Sequence, residues 1–215
     1  MKNVVLVGYG KMGSSIAQGW QLKSLNFNFF VIEKELTLRS IAVRDGLQSY
    51  ESVEELLKFV DKDTLDIIFL AVKPQQMSKT IKVFSRIDFS NTLFISIAAG
   101  LSFDWFQSTL SKEIKIVRAM PNLPASVGFG LTGYCQTNNV NEIETQDTQE
   151  LLSAFGKAVY LESEALIDVV TAISGSGPAY VFYFVEALSE FGVNQGLSRN
   201  DEQIFALETI TGSAT

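Results

Sequence analysis

The sequence has 215 residues, a formal net charge of −7, no histidine and a single cysteine, Cys135. Without histidine the chain has no imidazole to serve as a general base, as part of a Ser-His-Asp triad or as a metal ligand, and we expect no metal site. One cysteine cannot form an internal disulfide, which is typical of a reducing compartment such as the cytoplasm. The acidic charge balance argues against nucleic-acid binding, which requires a basic face.

The first 160 residues alternate short apolar runs with amphipathic stretches. Five runs rich in Val, Ile, Leu and Phe predict strands buried on both faces of a parallel sheet: Val4–Val7, Phe29–Ile32, Ile67–Ala71, Leu93–Ile97 and Ile116–Ala119. Two later runs, Gly130–Cys135 and Ala158–Leu161, predict an extension of this sheet. The helix-like stretches are Lys11–Lys23, Leu36–Asp45, Val53–Val60, Gln75–Phe84, Phe103–Leu110 and Glu142–Phe155. The alternation predicts a Rossmann-type, doubly wound α/β domain over residues 1–162.

The pattern changes after about residue 163, where no further strand run occurs. Two long segments, Glu164–Phe191 and Arg199–Ala214, predict an all-helical domain over residues 163–215. The stretch Val169–Val185 carries no formal charge, but the segment Gly175–Pro178 interrupts it. We therefore expect a helix that is covered by protein, with a break or a new helix start at the interruption, and no membrane span.

A glycine-rich segment, Gly8-Tyr9-Gly10-Lys11-Met12-Gly13, follows the first predicted strand and opens the first predicted helix. In this motif the first glycine permits a tight turn, the second lets the backbone approach a pyrophosphate, and the third allows the helix to pack closely on the strand. Free N–H groups at the helix start then face the phosphates. The segment therefore predicts a dinucleotide site formed by local backbone amides, since the net charge of the chain is negative.

An acidic residue, Glu33, lies twenty residues beyond Gly13, at the end of the second predicted strand. A carboxylate at this place hydrogen-bonds the ribose 2′-OH of NAD and repels the 2′-phosphate of NADP. Lys34 and Arg39 are close enough in sequence to offset that repulsion. The cofactor is thus expected to be NAD or NADP, and Glu33 favours NAD.

Four further segments follow the glycine loop in order: Phe69-Leu70-Ala71-Val72-Lys73-Pro74-Gln75, Ser96-Ile97-Ala98-Ala99-Gly100, Arg118-Ala119-Met120-Pro121-Asn122-Leu123-Pro124 and Ser174-Gly175-Ser176-Gly177-Pro178-Ala179-Tyr180. Together the five segments resemble the Δ1-pyrroline-5-carboxylate reductase family, whose members catalyse the last step of proline biosynthesis. The glycine loop is shared by many dehydrogenases, whereas the last two segments together are far more specific.

The resemblance implies a role for each segment. Cofactor-binding residues would be those of the glycine loop, Glu33, Ala71, Val72, Lys73, Pro74, Ala98, Ala99, Gly100 and Asn122. Substrate-binding residues would be Met120, Pro121, Ser176 and Gly177. Lys73 is the only ionisable side chain of its loop and is the candidate catalytic residue. Each assignment has a purely structural alternative: a solvated lysine at Lys73, a proline-rich turn at residues 120–122, and close helix packing at residues 176–177.

The implied reaction is hydride transfer from NAD(P)H to the C=N carbon of 1-pyrroline-5-carboxylate, which gives proline. A protonated cyclic imine already carries the charge that makes it electrophilic, so alignment and water exclusion suffice without a strong base or a metal. This requirement fits a chain without histidine.

The resemblance also bears on assembly. The run Tyr180–Val185 is apolar around the whole predicted helix, so one sheet cannot cover it. In the family such helices interlock between two subunits, and we expect a homodimer or a larger homo-oligomer. Family members usually continue with a Ser-Pro-Gly-Gly-Thr-like segment that does not occur here, so the helical domain is expected to be incomplete at its C-terminus.

Two other functions remain open. One is a β-hydroxyacid-type reductase, but such enzymes use a lysine on the long helix, and no lysine follows Lys157. The other is a non-catalytic dinucleotide-binding or regulatory protein that retains the Rossmann-type half.

Overall fold

The computed structural model describes residues 1–214. Eight strands form one sheet: β1 (Lys2–Val7), β2 (Phe27–Ile32), β3 (Gln48–Tyr50), β4 (Leu65–Leu70), β5 (Leu93–Ser96), β6 (Lys115–Met120), β7 (Gly130–Gln136) and β8 (Gly156–Tyr160). Their order is β3-β2-β1-β4-β5-β6-β7-β8, and all neighbouring strands are parallel except β6 and β7. The sheet confirms the predicted doubly wound α/β fold, with its topological switch point between β1 and β4.

All seven predicted strands are present, and the structure adds one that the sequence pattern did not predict. This strand, β3, is three residues long, consists of Gln48, Ser49 and Tyr50, and lies at the edge of the sheet beside β2. A short, half-exposed edge strand needs no apolar run, and for this reason hydrophobic patterning cannot detect it.

The helices follow the predicted positions closely: α1 (Lys11–Leu22), α2 (Leu36–Arg44), α3 (Val53–Leu56), α4 (Pro74–Phe84), α5 (Phe103–Thr109), α6 (Glu142–Ser153), α7 (Leu166–Val170), α8 (Gly177–Asn194) and α9 (Arg199–Ser213). Short 3₁₀ helices occur at Lys62–Thr64 and Leu123–Val127, and a π-helical turn at Thr171–Gly175. Helix α3 is shorter than predicted, because the chain tightens after Leu56 into a turn in which Phe59 N–H donates to the Leu56 carbonyl at 2.9 Å.

Apolar side chains fill both faces of the sheet. Under α1 and α6, the buried Trp20 stacks on Phe29 with ring centroids 4.7 Å apart, and its indole N–H donates to the Leu151 carbonyl at 2.9 Å. Under α4 and α5, Phe84 meets Phe94 edge to face at 6.0 Å. The sheet is therefore a rigid layer from which the loops at its edge project.

Strand β7 reverses the direction of the chain beside the end of β6. Met120 lies opposite Gly133, and Ala119 opposite Tyr134. Strand β8 runs parallel to β7 and ends at Tyr160, which is paired with Tyr134. The chain consequently leaves the sheet close to the carboxyl end of β6.

The remaining residues are helical, as predicted. Helix α7 packs on β6 and β7, the π-helical turn follows, and α8 begins at Gly177 with Pro178 in its first turn. The predicted interruption of the long helix thus occurs at the expected place. Helices α8 and α9 pack on each other and expose a set of large apolar side chains: Tyr180, Val181, Phe182, Tyr183, Phe184, Phe191, Ile204, Phe205 and Leu207. Within residues 1–214, no helix is both long and apolar enough to cross a bilayer.

Candidate active site

The structure brings four of the sequence-predicted loops together along the carboxyl edge of the sheet. They follow β1, β4, β5 and β6, which are neighbours in that order. Ala71 N–H donates to the Val7 carbonyl at 2.8 Å, and Ile97 N–H donates to the Leu70 carbonyl at 3.2 Å. These bonds hold the loops side by side, so their residues form one continuous edge.

The glycine loop has the geometry that its sequence predicted. Gly8 has a φ of +98°, and a β-carbon on Gly8 would lie 2.9 Å from the Ala71 carbonyl oxygen. A β-carbon on Gly13 would lie 2.1 Å from the Gly8 carbonyl oxygen, whereas one on Gly10 would have no atom within 4 Å. The first and third glycines are therefore required for packing, and the second borders open space at the helix start.

Helix α1 begins at this open space with its amide groups uncapped. Gly10 is its N-cap and provides no side-chain hydrogen bond, and no acidic residue lies in the first turn. An uncapped helix start with no acidic residue in its first turn is suited to a phosphate group. The loop therefore fits a dinucleotide.

Glu33 lies next to the glycine loop. Its carboxylate accepts hydrogen bonds from Tyr9 N–H at 2.7 Å and from Glu35 N–H at 3.0 Å. Within residues 1–214, Arg39 makes no ion pair with that carboxylate: its guanidinium donates to the carbonyls of Glu33 and Lys34 at 2.9 and 2.7 Å and pairs with Glu51 at 3.3 Å. Arg39 is thus engaged by the backbone and by a second acid.

Tyr9 contributes only its backbone to this edge. Its side chain is buried in the core under α1, where the hydroxyl donates to Asp45 at 2.7 Å. Burial, that hydrogen bond and the negative charge of Asp45 all raise the pKa of Tyr9. This contact was not predictable from the sequence, because no local pattern links Tyr9 to the end of α2.

The loops after β4 and β5 offer small residues and one cation. Lys73 is exposed at the start of α4 and makes no ion pair within the described residues 1–214. Ala98 is buried, while Ala99 and Gly100 are exposed, and Gly100 has a φ of +73°. The loop after β5 therefore adds no bulky side chain at residues 98–100, and Lys73 is the cation of the loop after β4.

Two predicted substrate segments, 55 positions apart in the sequence, meet at the end of β6. A β-carbon on Gly175 would lie 3.8 Å from Cγ of Met120, so the π-helical turn packs directly on that side chain. Ser176 and Gly177 follow at the start of α8, where Ser176 N–H donates to the Thr171 carbonyl. Asn122 is buried and accepts from Leu131 N–H at 2.8 Å, which leaves its side-chain NH₂ group as a possible donor.

Cys135 is buried behind this segment, in a small apolar cluster with Met120 and Ile167. Burial raises the pKa of its thiol to about 11, against the lowering influence of Arg118, while Glu164 raises it further. The cysteine is therefore a core residue and not a nucleophile. No cluster of potential metal ligands occurs among residues 1–214.

The fold and this edge define the chain as a Rossmann-type dinucleotide-binding oxidoreductase. Two family models match it: NADP oxidoreductase coenzyme F420-dependent over residues 3–100, and pyrroline-5-carboxylate reductase dimerisation over residues 164–215. A pyrroline-5-carboxylate reductase of Aquifex aeolicus is 35% identical over 98% of this chain and 76% of its own length.

Two solved structures are similar over nearly the whole chain. The pyrroline-5-carboxylate reductase of Coxiella burnetii has a TM-score of 0.88 at 28% identity, covering 99% of this chain and 78% of its own. The pyrroline carboxylate reductase of Plasmodium falciparum with NADP bound has a TM-score of 0.83 at 33% identity, covering 99% of this chain and 77% of its own. The chain belongs to the pyrroline-5-carboxylate reductase family.

Proposed function

We propose that this chain reduces 1-pyrroline-5-carboxylate to proline with a reduced nicotinamide dinucleotide. The observation that carries the proposal is the contact between Met120 and Gly175. It places the first residues of α8 at the carboxyl edge of the sheet, where a doubly wound fold binds its ligand.

The dinucleotide would lie along the edge loops. The backbone of residues 8–13 would hold the pyrophosphate, residues 71–74 and 98–100 would line the path to the nicotinamide, and the Asn122 NH₂ group would donate at its far end. Open space at Gly10 and the uncapped start of α1 support this assignment. When bound, the reduced nicotinamide supplies the hydride that the imine carbon accepts.

NADH is the proposed cofactor in preference to NADPH. The Glu33 carboxylate lies against the glycine loop, where it would accept from a ribose hydroxyl and repel a 2′-phosphate. Arg39 already serves two carbonyls and Glu51, so it is poorly placed to neutralise that phosphate.

A charge-removing variant tests this preference. Glu33→Gln keeps an acceptor for Tyr9 N–H but removes the charge, and we expect the ratio of kcat/KM for NADPH to that for NADH to rise about tenfold, equivalent to about 1.4 kcal/mol. Glu35→Gln is the matched control, since Glu35 is exposed and its side chain makes no hydrogen bond within residues 1–214. An unchanged ratio in Glu33→Gln would refute the assignment.

The protein would catalyse the reduction mainly by alignment. The substrate imine is electrophilic once protonated, so no residue has to generate a strong nucleophile. Met120 and Pro121 would form an apolar floor, and Ser176 and Gly177 would present polar groups to the substrate carboxylate at the start of α8. Lys73 is the proposed cationic residue beside the nicotinamide ribose.

The direct experiment follows oxidation of NADH and NADPH by absorbance with 1-pyrroline-5-carboxylate as substrate. We expect turnover, and we expect Lys73→Ala to raise the KM for nucleotide about threefold to tenfold. Lys79→Ala is the control, because Lys79 is an exposed cation farther along α4. Nucleotide binding without turnover would instead identify a dinucleotide-binding protein of another function.

The helical region supports a homo-oligomer. The matching family model describes a dimerisation domain, and α8 exposes Phe182 and Tyr183 on its surface. We expect sedimentation to show a dimer or a larger species, and Phe182→Asp to shift it towards the monomer. The control is Phe59→Asp, which places the same charge on another exposed ring, 73% exposed against 58% for Phe182, in the turn after α3. A wild-type monomer would contradict this part of the proposal.

A further inference from the structure

A partly buried ion pair, with the side chain of Glu164 30% exposed, joins the helical region to the sheet beside the candidate site. The side chain of Arg118, on β6, is only 8% exposed, and its Nη1 lies 2.6 Å from Oε1 of Glu164. The same oxygen accepts from Phe103 N–H, at the first residue of α5, at 2.7 Å. The carboxylate of Glu164, in the segment between β8 and α7, therefore connects β6 and α5.

Arg118 lies on β6 two residues before Met120, which is proposed to contact the substrate. Residues two apart on a strand point to the same face, so Arg118 and Met120 lie on one side of β6. Helix α7 covers that side, with Ile167 packed on Met120. The guanidinium is thus enclosed by the segment that carries its partner, and it does not face the open edge.

Glu164 attaches the segment that leads to Ser176 and Gly177 to the sheet through its ion pair with Arg118. It lies two positions before α7, which has only five residues and continues through the π-helical turn to Ser176 and Gly177. Ile167 and Val170 hold α7 against the sheet by apolar contact, which is not directional. A hydrogen-bonded ion pair is directional, so it constrains where α7 begins.

We propose that Arg118 and Glu164 are positioning residues for imine reduction. By fixing where α7 begins, the pair sets the distance of Ser176 and Gly177 from Met120, and neither residue touches substrate or cofactor itself. The inference rests on the proposed function, since it assigns the substrate to the gap between these segments.

The test uses Glu164→Gln, which preserves an acceptor for Phe103 N–H and removes the charge that faces Arg118. Glu162→Gln is the matched control, because Glu162 is exposed and its side chain makes no ion pair or hydrogen bond within residues 1–214. Three experiments are made well below the melting temperature: steady-state kinetics with 1-pyrroline-5-carboxylate, which give KM and kcat; binding of NADH, which gives Kd; and amide hydrogen exchange over residues 166–178.

We expect Glu164→Gln to raise the KM for 1-pyrroline-5-carboxylate about tenfold, to leave the Kd for NADH within about twofold of wild type, and to speed exchange over residues 166–178. Glu162→Gln should match wild type in all three. Should Glu164→Gln fail to fold, Arg118→Lys replaces the planar fork by a single point charge, and the same changes are expected to a smaller degree.

Two results would overturn the proposal. One is a lower melting temperature in Glu164→Gln with unchanged KM and unchanged exchange, which would show that the pair only stabilises the fold. The other is a loss of NADH affinity in Glu164→Gln as large as the rise in KM for 1-pyrroline-5-carboxylate, which would show that the substitution damages the whole carboxyl edge of the sheet. If the wild-type protein does not reduce 1-pyrroline-5-carboxylate, the proposed function fails, yet faster exchange confined to residues 166–178 would still demonstrate the anchoring.

Discussion

Gly10 and Gly13 have opposite surroundings, and alanine at each position separates the packing role of the glycine loop from its binding role. A methyl group on Gly13 would lie 2.1 Å from the Gly8 carbonyl oxygen, and Gly8 is itself confined at φ +98° against Ala71. Because only backbone atoms are in the way, little relaxation is available. We expect Gly13→Ala to cost about 3 kcal/mol, the upper end of ordinary overpacking.

Gly10→Ala should have little effect on stability and a large effect on binding. Its methyl group meets no atom within 4 Å, and the φ of −70° is accessible to alanine. We expect a change within about 1 kcal/mol, since the loss of a favourable N-cap residue is partly offset by a less flexible unfolded chain. The same methyl group would occupy the proposed pyrophosphate position, so NADH affinity should fall at least about tenfold.

Thermal melting and titration calorimetry of the two variants check this separation. For a chain of this size, about 3 kcal/mol corresponds to a melting temperature about 6–12 °C lower in Gly13→Ala. Gly10→Ala should melt within about 4 °C of wild type and bind NADH weakly. The reasoning is refuted if Gly13→Ala melts like wild type, or if Gly10→Ala binds NADH with wild-type affinity.

Two further predictions concern buried titratable groups. Since burial raises the pKa of Cys135 to about 11, iodoacetamide at about pH 8 should label the native protein much more slowly than the urea-unfolded chain; labelling at equal rates would contradict the burial. The Tyr9 hydroxyl is stabilised in its protonated form by burial and by Asp45, so its folded pKa lies above the ordinary value of 10.0. Its contribution to stability is fully present below the pKa of the unfolded phenol and is lost as the pH rises above it. Urea unfolding should therefore show a steeper alkaline loss of stability in wild type than in Tyr9→Phe, and parallel curves would show that Tyr9 titrates normally.

Much of the fold was predictable because burial on both faces leaves a strong signal. Strands such as Ile67–Ala71 are continuous apolar runs. Seven of the eight observed strands lie at a predicted run, although β8, at the edge of the sheet, is largely exposed. The exception is β3, whose Gln48 and Ser49 lie on an exposed edge. Likewise, the end of α3 depends on a change from helical to 3₁₀ hydrogen bonding, which leaves no mark on the apolar pattern.

The candidate site was predictable where backbone geometry requires particular residue types. Glycine at positions 8 and 13 is such a case, because no side chain fits there. Long-range polar pairs were not predictable. An arginine within an apolar strand signals that Arg118 needs a partner, but nothing in the local sequence identifies Glu164, 46 residues later. The Tyr9–Asp45 contact was missed for the same reason, since it is set by packing between distant elements.

The reversal of direction at β7 has a consequence for the position of α7. Many two-domain enzymes close over their substrate by rotation about flexible connecting residues. Here the last residue of β8, Tyr160, is paired with Tyr134, which is itself paired with Ala119 of β6. Only the five residues 161–165 separate β8 from α7. Leu161 N–H is bonded to the Tyr134 carbonyl, and Glu164 is bonded to Arg118. Because this connection is short and is bonded at both ends, the path of the chain sets the position of α7 beside Met120.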